Sequence, residues 1–260
     1  MPDYTLYYHS GSASMIPHWL LLELSHFHGI TFDTHSVDFS TGAQKSEEYL
    51  AINPKGVVPT LVIHNNNNDG SSSSYTESAA LALLLAARHP EAHLAPQDTQ
   101  SPQYAKYIET MVYLANTVQP SMRDWFYASV DAQSTSEPVI AAIKQMAARR
   151  IRSAWDLLDR QLQDQPYLVQ NVVDGVWQPT VADFIVVVLA RWSRNFEEHA
   201  IRWKNLDGLV RRMTSRDSWV ALKAKETLDD PDWPLGLGER ATPSSCKLLH
   251  GEPISSAFRD

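Results

Sequence analysis

Two short segments carry residue types suited to holding a small peptide. The first is Asn53-Pro54-Lys55-Gly56-Val57-Val58-Pro59-Thr60-Leu61-Val62. A proline at the head of an apolar strand removes a ladder donor. A cis Val58–Pro59 bond would turn the chain there and leave the Val58 N–H and C=O free for an extended, peptide-like ligand. An ordinary edge-strand proline is the alternative. The second segment is Tyr75-Thr76-Glu77-Ser78-Ala79. Glu77 and Ser78 stand where a helix begins, and free N–H groups and the helix dipole there attract a carboxylate. Ser78 adds a hydroxyl donor and Glu77 can pair with an ammonium group; a plain capped helix is the alternative. Together the segments offer a backbone edge, a carboxylate site and an acid for an amine. A γ-glutamyl head group presents the matching groups.

Other chemistry is sparse. His18, His26 and His28 do not share one helix face, and no His-Glu-x-x-His or cysteine cluster exists, so surface or helix-end histidines are expected and no metal site. Met122-Arg123-Asp124-Trp125-Phe126-Tyr127 is aromatic-rich and reads either as core or as the lining of an apolar pocket.

The elements that must position these residues fall into two groups. β-formers at 4–8 and 31–37, a helix through Pro17 and 19–27 ended by Gly29, a short helix at 46–51, a strand at 57–63, a short strand at Tyr75-Thr76 and a helix opened by Glu77 make a small α/β layer. The Asn/Asp/Gly/Ser run at 65–74 reads as a solvated loop. Beyond the proline-rich stretch near 93–101 the period becomes helical, in Tyr104 to Leu114, Ile140 to Leu162, 180–192 and 209–225. Thr180 and Asp183 have capping-box spacing. The expected domains are 1–92, 101–235 and an irregular tail at 236–260.

The chain has 260 residues and a formal net charge of −8, which argues against nucleic acid and anionic membrane as partners. Its one cysteine, Cys246, excludes an intrachain disulfide and points to a reducing compartment. No export signal or membrane-length apolar run is visible, so a cytoplasmic location is expected.

The N-P-K-G-x-V-P segment, the T-E-S-x-A helix start, the Thr180–Asp183 cap and the order of the two layers resemble the glutathione S-transferase superfamily over residues 3 to about 230. The resemblance implies an α/β thioredoxin-like N-terminal domain and an all-α C-terminal domain. It also implies glutathione as cofactor, an apolar small-molecule substrate and a homodimer. Glutathione would lie along Val58 and Pro59 with its γ-glutamyl end on Glu77 and Ser78, and Lys45 and Lys55 near its glycine carboxylate. Residues 7–18 are similar to the bacterial cysteine-type pattern Y-x-P-G-x-C-S-x-x-x-H, but Ala13 stands at the cysteine position. A hydroxyl near a helix start can stabilise a thiolate instead, and the candidates in order are Ser14, Ser12 and Tyr8. Met15, Met122, Trp125 and Phe126 are assigned to the apolar substrate pocket. The expected reaction is thiolate attack on an apolar electrophile, by conjugation or by reversible addition giving cis–trans alkene isomerisation. With its asparagine/serine insert and long tail the chain resembles a fungal member, and a resemblance to tailoring enzymes of fungal secondary metabolism implies a polyketide-derived polyene substrate. Ala13 leaves open a non-catalytic glutathione-binding or regulatory protein on the same scaffold.

Overall fold

A computed structural model describes residues 2–64, 72–228, 233 and 234. Most of the 65–74 run, and the whole tail with Cys246, lie outside the described residues.

The first layer is built from β1 (Tyr4–Tyr8), α1 (Met15–His28), β2 (Phe32–Ser36), α2 (Glu47–Ile52), β3 (Thr60–His64), β4 (Ser72–Thr76) and α3 (Ser78–Arg88). The sheet order is β2-β1-β3-β4. β1 runs parallel to β2, as the crossover through α1 requires, while β3 runs antiparallel to both β1 and β4. Leu6 on β1 and Leu61 and Ile63 on β3 face a core shared with Trp19, Leu20 and Leu24 of α1 and Leu81 and Leu85 of α3. Gly29 ends α1 in the left-handed conformation, φ 69°, and its N–H bonds the Ser25 carbonyl.

The second layer contains α4 (Pro102–Tyr113), α5 (Gln119–Phe126), α6 (Ala128–Asp131), α7 (Glu137–Gln161), α8 (Val181–Trp192), α9 (Lys204–Thr214) and α10 (Asp217–Glu226). The fold is thus a thioredoxin-like α/β domain with a mixed sheet, followed by a helical domain. α8 is buried nearly all round and forms the hub of the helical domain. At its start the Thr180–Asp183 capping box is complete. Asp183 accepts from the N–H groups of Leu168 and Thr180, both at 2.8 Å. Burial pushes its carboxyl up to about 6, against the lowering effect of those hydrogen bonds.

Four local expectations need correction. Ser72, Ser73 and Ser74 belong to β4 rather than to a loop, because pairing with β3 carries a polar edge strand that has little pattern of its own. The strand at 57–63 begins only at Thr60. The helix at 209–225 is two helices: Arg216 is extended (φ −73°, ψ 143°), and its guanidinium turns inward to bond the buried Glu23 carboxylate. His18 is neither at the surface nor at a helix end; it is fully buried in the first turns of α1, while His26 and His28 are exposed.

Candidate active site

Strand register gathers the site. Thr60, the first residue of β3, pairs with Tyr7 near the end of β1 and with Thr76 at the end of β4. The loop after β1, the Val58–Pro59 turn before β3 and the start of α3 after β4 therefore stand side by side at one end of the sheet. With neighbouring strands about 4.8 Å apart, this edge runs about 10 Å from β1 to β4. That is the reach of a short extended peptide, at roughly 3.3 Å per residue.

The middle of the edge is held by a polar knot. The Val58–Pro59 bond is cis. The Val57 carbonyl accepts from Tyr49 Oη at 2.7 Å and Asn53 Nδ2 at 2.6 Å. Both partners also reach the buried Thr60 hydroxyl, at 3.0 and 2.9 Å. Val58 itself lies outside the β3 ladder. Gly56 (φ 61°) must be glycine, since a Cβ there would stand 2.8 Å from the Gln44 carbonyl oxygen and 2.9 Å from Lys45 Nζ. Exposed Lys45 is thereby placed at the turn.

At the β4 end, Glu77 has φ 72° and ψ 108°, a strained conformation for a residue with a Cβ. No side chain caps α3, so its first N–H groups remain available. Ser78 is buried at the helix start, and Gln119 of α5 donates to its hydroxyl at 3.4 Å. Lys55 does not sit apart from this group. Its Nζ pairs with Glu77 Oε1 at 2.6 Å and donates to Thr76 Oγ1 at 2.9 Å. The two sequence motifs are thus joined by an ion pair, and Lys55 belongs to the same end as Glu77.

At the β1 end the two serines form a closed relay. Ser12 Oγ donates to the His9 carbonyl at 2.7 Å. A hydroxyl has one proton to give, so the 2.9 Å contact between Ser12 Oγ and Ser14 Oγ must be a donation by Ser14. Ser14 in turn accepts the His9 N–H at 3.3 Å. Ser14 is fully buried, whereas Ser12 is half-exposed. Tyr8 is half-buried, with its ring 4.9 Å from that of His18. Burial, and secondarily the Glu226 charge, push the Tyr8 hydroxyl above its ordinary value. It therefore stays protonated, a donor rather than a base.

Two side chains from the helical domain secure this loop, Trp192 and Glu226, and sequence reading named neither as a site residue. Trp192 Nε1 donates to the Gly11 carbonyl at 3.0 Å. Glu226 Oε2 accepts the Gly11 N–H at 2.8 Å, and Ser10 Oγ donates to the Glu226 carbonyl at 2.5 Å. Gln119, at the opposite end of the edge, has a local sign that went unused: Pro120 follows it. Proline cannot donate to the preceding turn, and residues Leu114–Val118 adopt a π-helical turn just before it.

The pocket residues separate. Met15 and Met122 are fully buried in the core and line no open surface. Trp125 is half-buried and Phe126 is 46 % exposed. Both pack on Phe196, at centroid distances of 4.2 and 5.7 Å. This aromatic cluster connects to both ends of the edge, since Trp125 and Phe126 share α5 with Gln119 and Phe196 closely follows Trp192. Among the described residues no His/Cys/Asp/Glu group could hold a metal, and no helix is long and apolar enough to cross a membrane.

Comparison with known proteins bears on the family and the fold. Residues 18–88 match the family described as glutathione S-transferase, N-terminal domain. Glutathione S-transferase 1 of Schizosaccharomyces pombe is 30 % identical over 208 residues, covering 76 % of this chain and 82 % of that protein. Glutathione S-transferase 2 of the same yeast is 31 % identical over 173 residues, covering 66 % and 70 %. Among solved structures, a glutathione transferase homologue from Sulfitobacter with bound glutathione superposes with a TM-score of 0.69 at 24 % identity, covering 88 % of this chain and 100 % of that one. The transferase URE2P6 of Phanerochaete chrysosporium, in complex with oxidized glutathione, gives 0.71 at 20 % identity, covering 87 % and 97 %. The shared sequence and the shared architecture lead to one conclusion: the chain belongs to the glutathione S-transferase family.

Proposed function

We propose that the protein binds glutathione along the edge from β1 to β4 and uses it to attack an apolar electrophile. The observation that carries this reading is the register that pairs Thr60 with both Tyr7 and Thr76, so that the segments carrying Ser12, Val58 and Ser78 leave adjacent strands at one end of the sheet. Val58 offers backbone pairing to an extended peptide. Ser78 and the free N–H groups of α3 receive the γ-glutamyl carboxylate, and Glu77 receives its ammonium. Lys55, released from its exposed pair with Glu77 at little cost, is a cation for that carboxylate; Lys45 remains the candidate at the glycine end. Glutathione supplies the thiol, whose thiolate form is the nucleophile. Ser12 is the hydroxyl that turns from the His9 carbonyl to the sulfur, and Ser14 supports it by donating to Ser12 Oγ. Tyr8 stands by as a protonated donor.

The same residues serve conjugation and reversible addition to a conjugated alkene. The second course leaves glutathione unspent and isomerises the double bond, as a polyene of fungal secondary metabolism would require. A cytoplasmic homodimer completes the reading. Calorimetry with glutathione is the first test, and no binding at millimolar glutathione rejects the proposal. Incubation with electrophiles and a conjugated polyene follows. An adduct mass with stoichiometric glutathione loss supports transfer, and a shifted cis/trans ratio without loss supports isomerisation. Binding with neither makes the protein a non-catalytic member of the family.

A further inference from the structure

The aromatic cluster of Trp125, Phe126 and Phe196 is bordered by three cations in unequal states. Arg123 is paired with Asp131, and Arg150 with Asp124. Lys144 of α7 is half-buried, with its Nζ 4.7 Å from the centre of the Trp125 ring. It has no ion pair among the described residues. A partly desolvated ammonium on an aromatic face gains from the ring quadrupole, yet its hydrogen-bond donors still lack an anionic partner. In a chain of net charge −8, Arg123 and Arg150 nearby have acidic partners, while the half-buried Lys144 ammonium lies on the Trp125 ring without one.

We propose that Lys144 makes the apolar site selective for electrophiles that carry a carboxylate on a flat conjugated frame. The frame stacks on Trp125, Phe126 and Phe196, and the ammonium takes the anion. This rests on the reading of the edge as a glutathione site and names the substrate class for it. Position supports it. Gln119 and Phe126 are seven residues apart on α5, about 10 Å at 1.5 Å per residue, so the cluster begins a substrate length from the γ-glutamyl end. Trp192, which holds the thiol-side loop through Gly11, lies only four residues before Phe196.

The test uses a matched pair, 4-chloro-3,5-dinitrobenzoate and its methyl ester. In both, the thiolate of glutathione forms a C–S bond at the ring carbon that bears chlorine, chloride leaves with the C–Cl electron pair, and the thiol proton passes to solvent. The full-length protein is expected to show a lower KM for the acid than for the ester. In Lys144→Met, which keeps the apolar stem over Trp125, the ratio of acid KM to ester KM should rise about tenfold, the scale of one lost charge-assisted hydrogen bond. Lys144→Arg should restore most of the preference. A ratio that stays within about twofold, or KM values that rise together, overturns the role of Lys144 while leaving the glutathione site standing. Conjugation of neither compound by the unmodified protein overturns the transfer reading and the selectivity with it.

Discussion

His18 and Glu226, 208 residues apart, form a buried pair: Nδ1 of the histidine lies 2.8 Å from Oε1 of the carboxylate, and both side chains are fully enclosed. The other carboxylate oxygen holds the Gly11 N–H. One acidic residue at the end of α10 thus fixes both the base of α1 and the loop that carries the serines. Glu226→Ala leaves the buried His18 donor without an acceptor, at about 1–3 kcal/mol, and frees the part-buried Gly11 N–H as well. The expected fall in Tm is several degrees or more, with Glu226→Gln milder because one amide oxygen remains. Thermal unfolding checks the ranking; equal losses for the two variants would count against it.

The serine relay makes its two members unequal. Ser12→Ala is expected to reduce kcat about 10- to 100-fold, the loss of one hydrogen bond to a charged sulfur, with a small effect on the KM for glutathione. Ser14→Ala should also lower turnover more than affinity, but less steeply, and it should lower Tm because it orphans the His9 N–H. Steady-state kinetics with a chloronitrobenzene decides. A larger kcat loss for Ser14→Ala would return the direct role to Ser14.

Lys55 and Glu77 separate stability from binding. Their side chains are 54 % and 70 % exposed, so the pair itself adds little to the fold. Lys55→Ala should leave Tm within about 2 °C, and calorimetry should show weaker glutathione binding by about tenfold if the ammonium meets the γ-glutamyl carboxylate. Unchanged affinity would leave Lys55 as a surface partner of Glu77 only.

Asp183 gives stability a pH dependence of defined sign. Its carboxyl is raised from 3.8 to about 6 in the folded chain, so the folded state holds the proton more tightly than the unfolded state. The contribution is most favourable below about pH 4 and is lost as pH rises through 6, by about 3 kcal/mol in all at 1.36 kcal/mol per pH unit. Denaturant titrations from pH 4 to 7 should show this decline, superposed on other groups. Asp183→Asn, which does not titrate, should lack this component. An identical pH slope in the variant would show that another group is responsible.

Much of the fold was legible where its signals are local. Tyr4–Tyr8 is dense in β-formers, Gly29 sits where a left-handed cap is needed, and Thr180 with Asp183 has capping spacing. What failed was either polar or distant. Ser72–Ser74 carries no apolar alternation, and its strand exists because β3 offers partners. The hairpin of Val172–Val173 and Val176–Trp177 turns on Asp174-Gly175, an available turn signal that went unread. Burial of Met15 and Met122 follows from packing that residue type alone does not specify. Glu226 was invisible because nothing near it in sequence distinguishes it from a solvated helix-end acid.

The tie from Glu226 to Gly11 also orders events in time. On the ribosome, the α/β layer is complete once α3 has emerged, yet the loop that carries Ser12 then lacks its anchors. Trp192 arrives about a hundred residues later and Glu226 later still. A nascent chain, or one clipped before α10, would hold a formed sheet and an unset serine loop, so the loop is fixed only with α10, the last helix among the described residues.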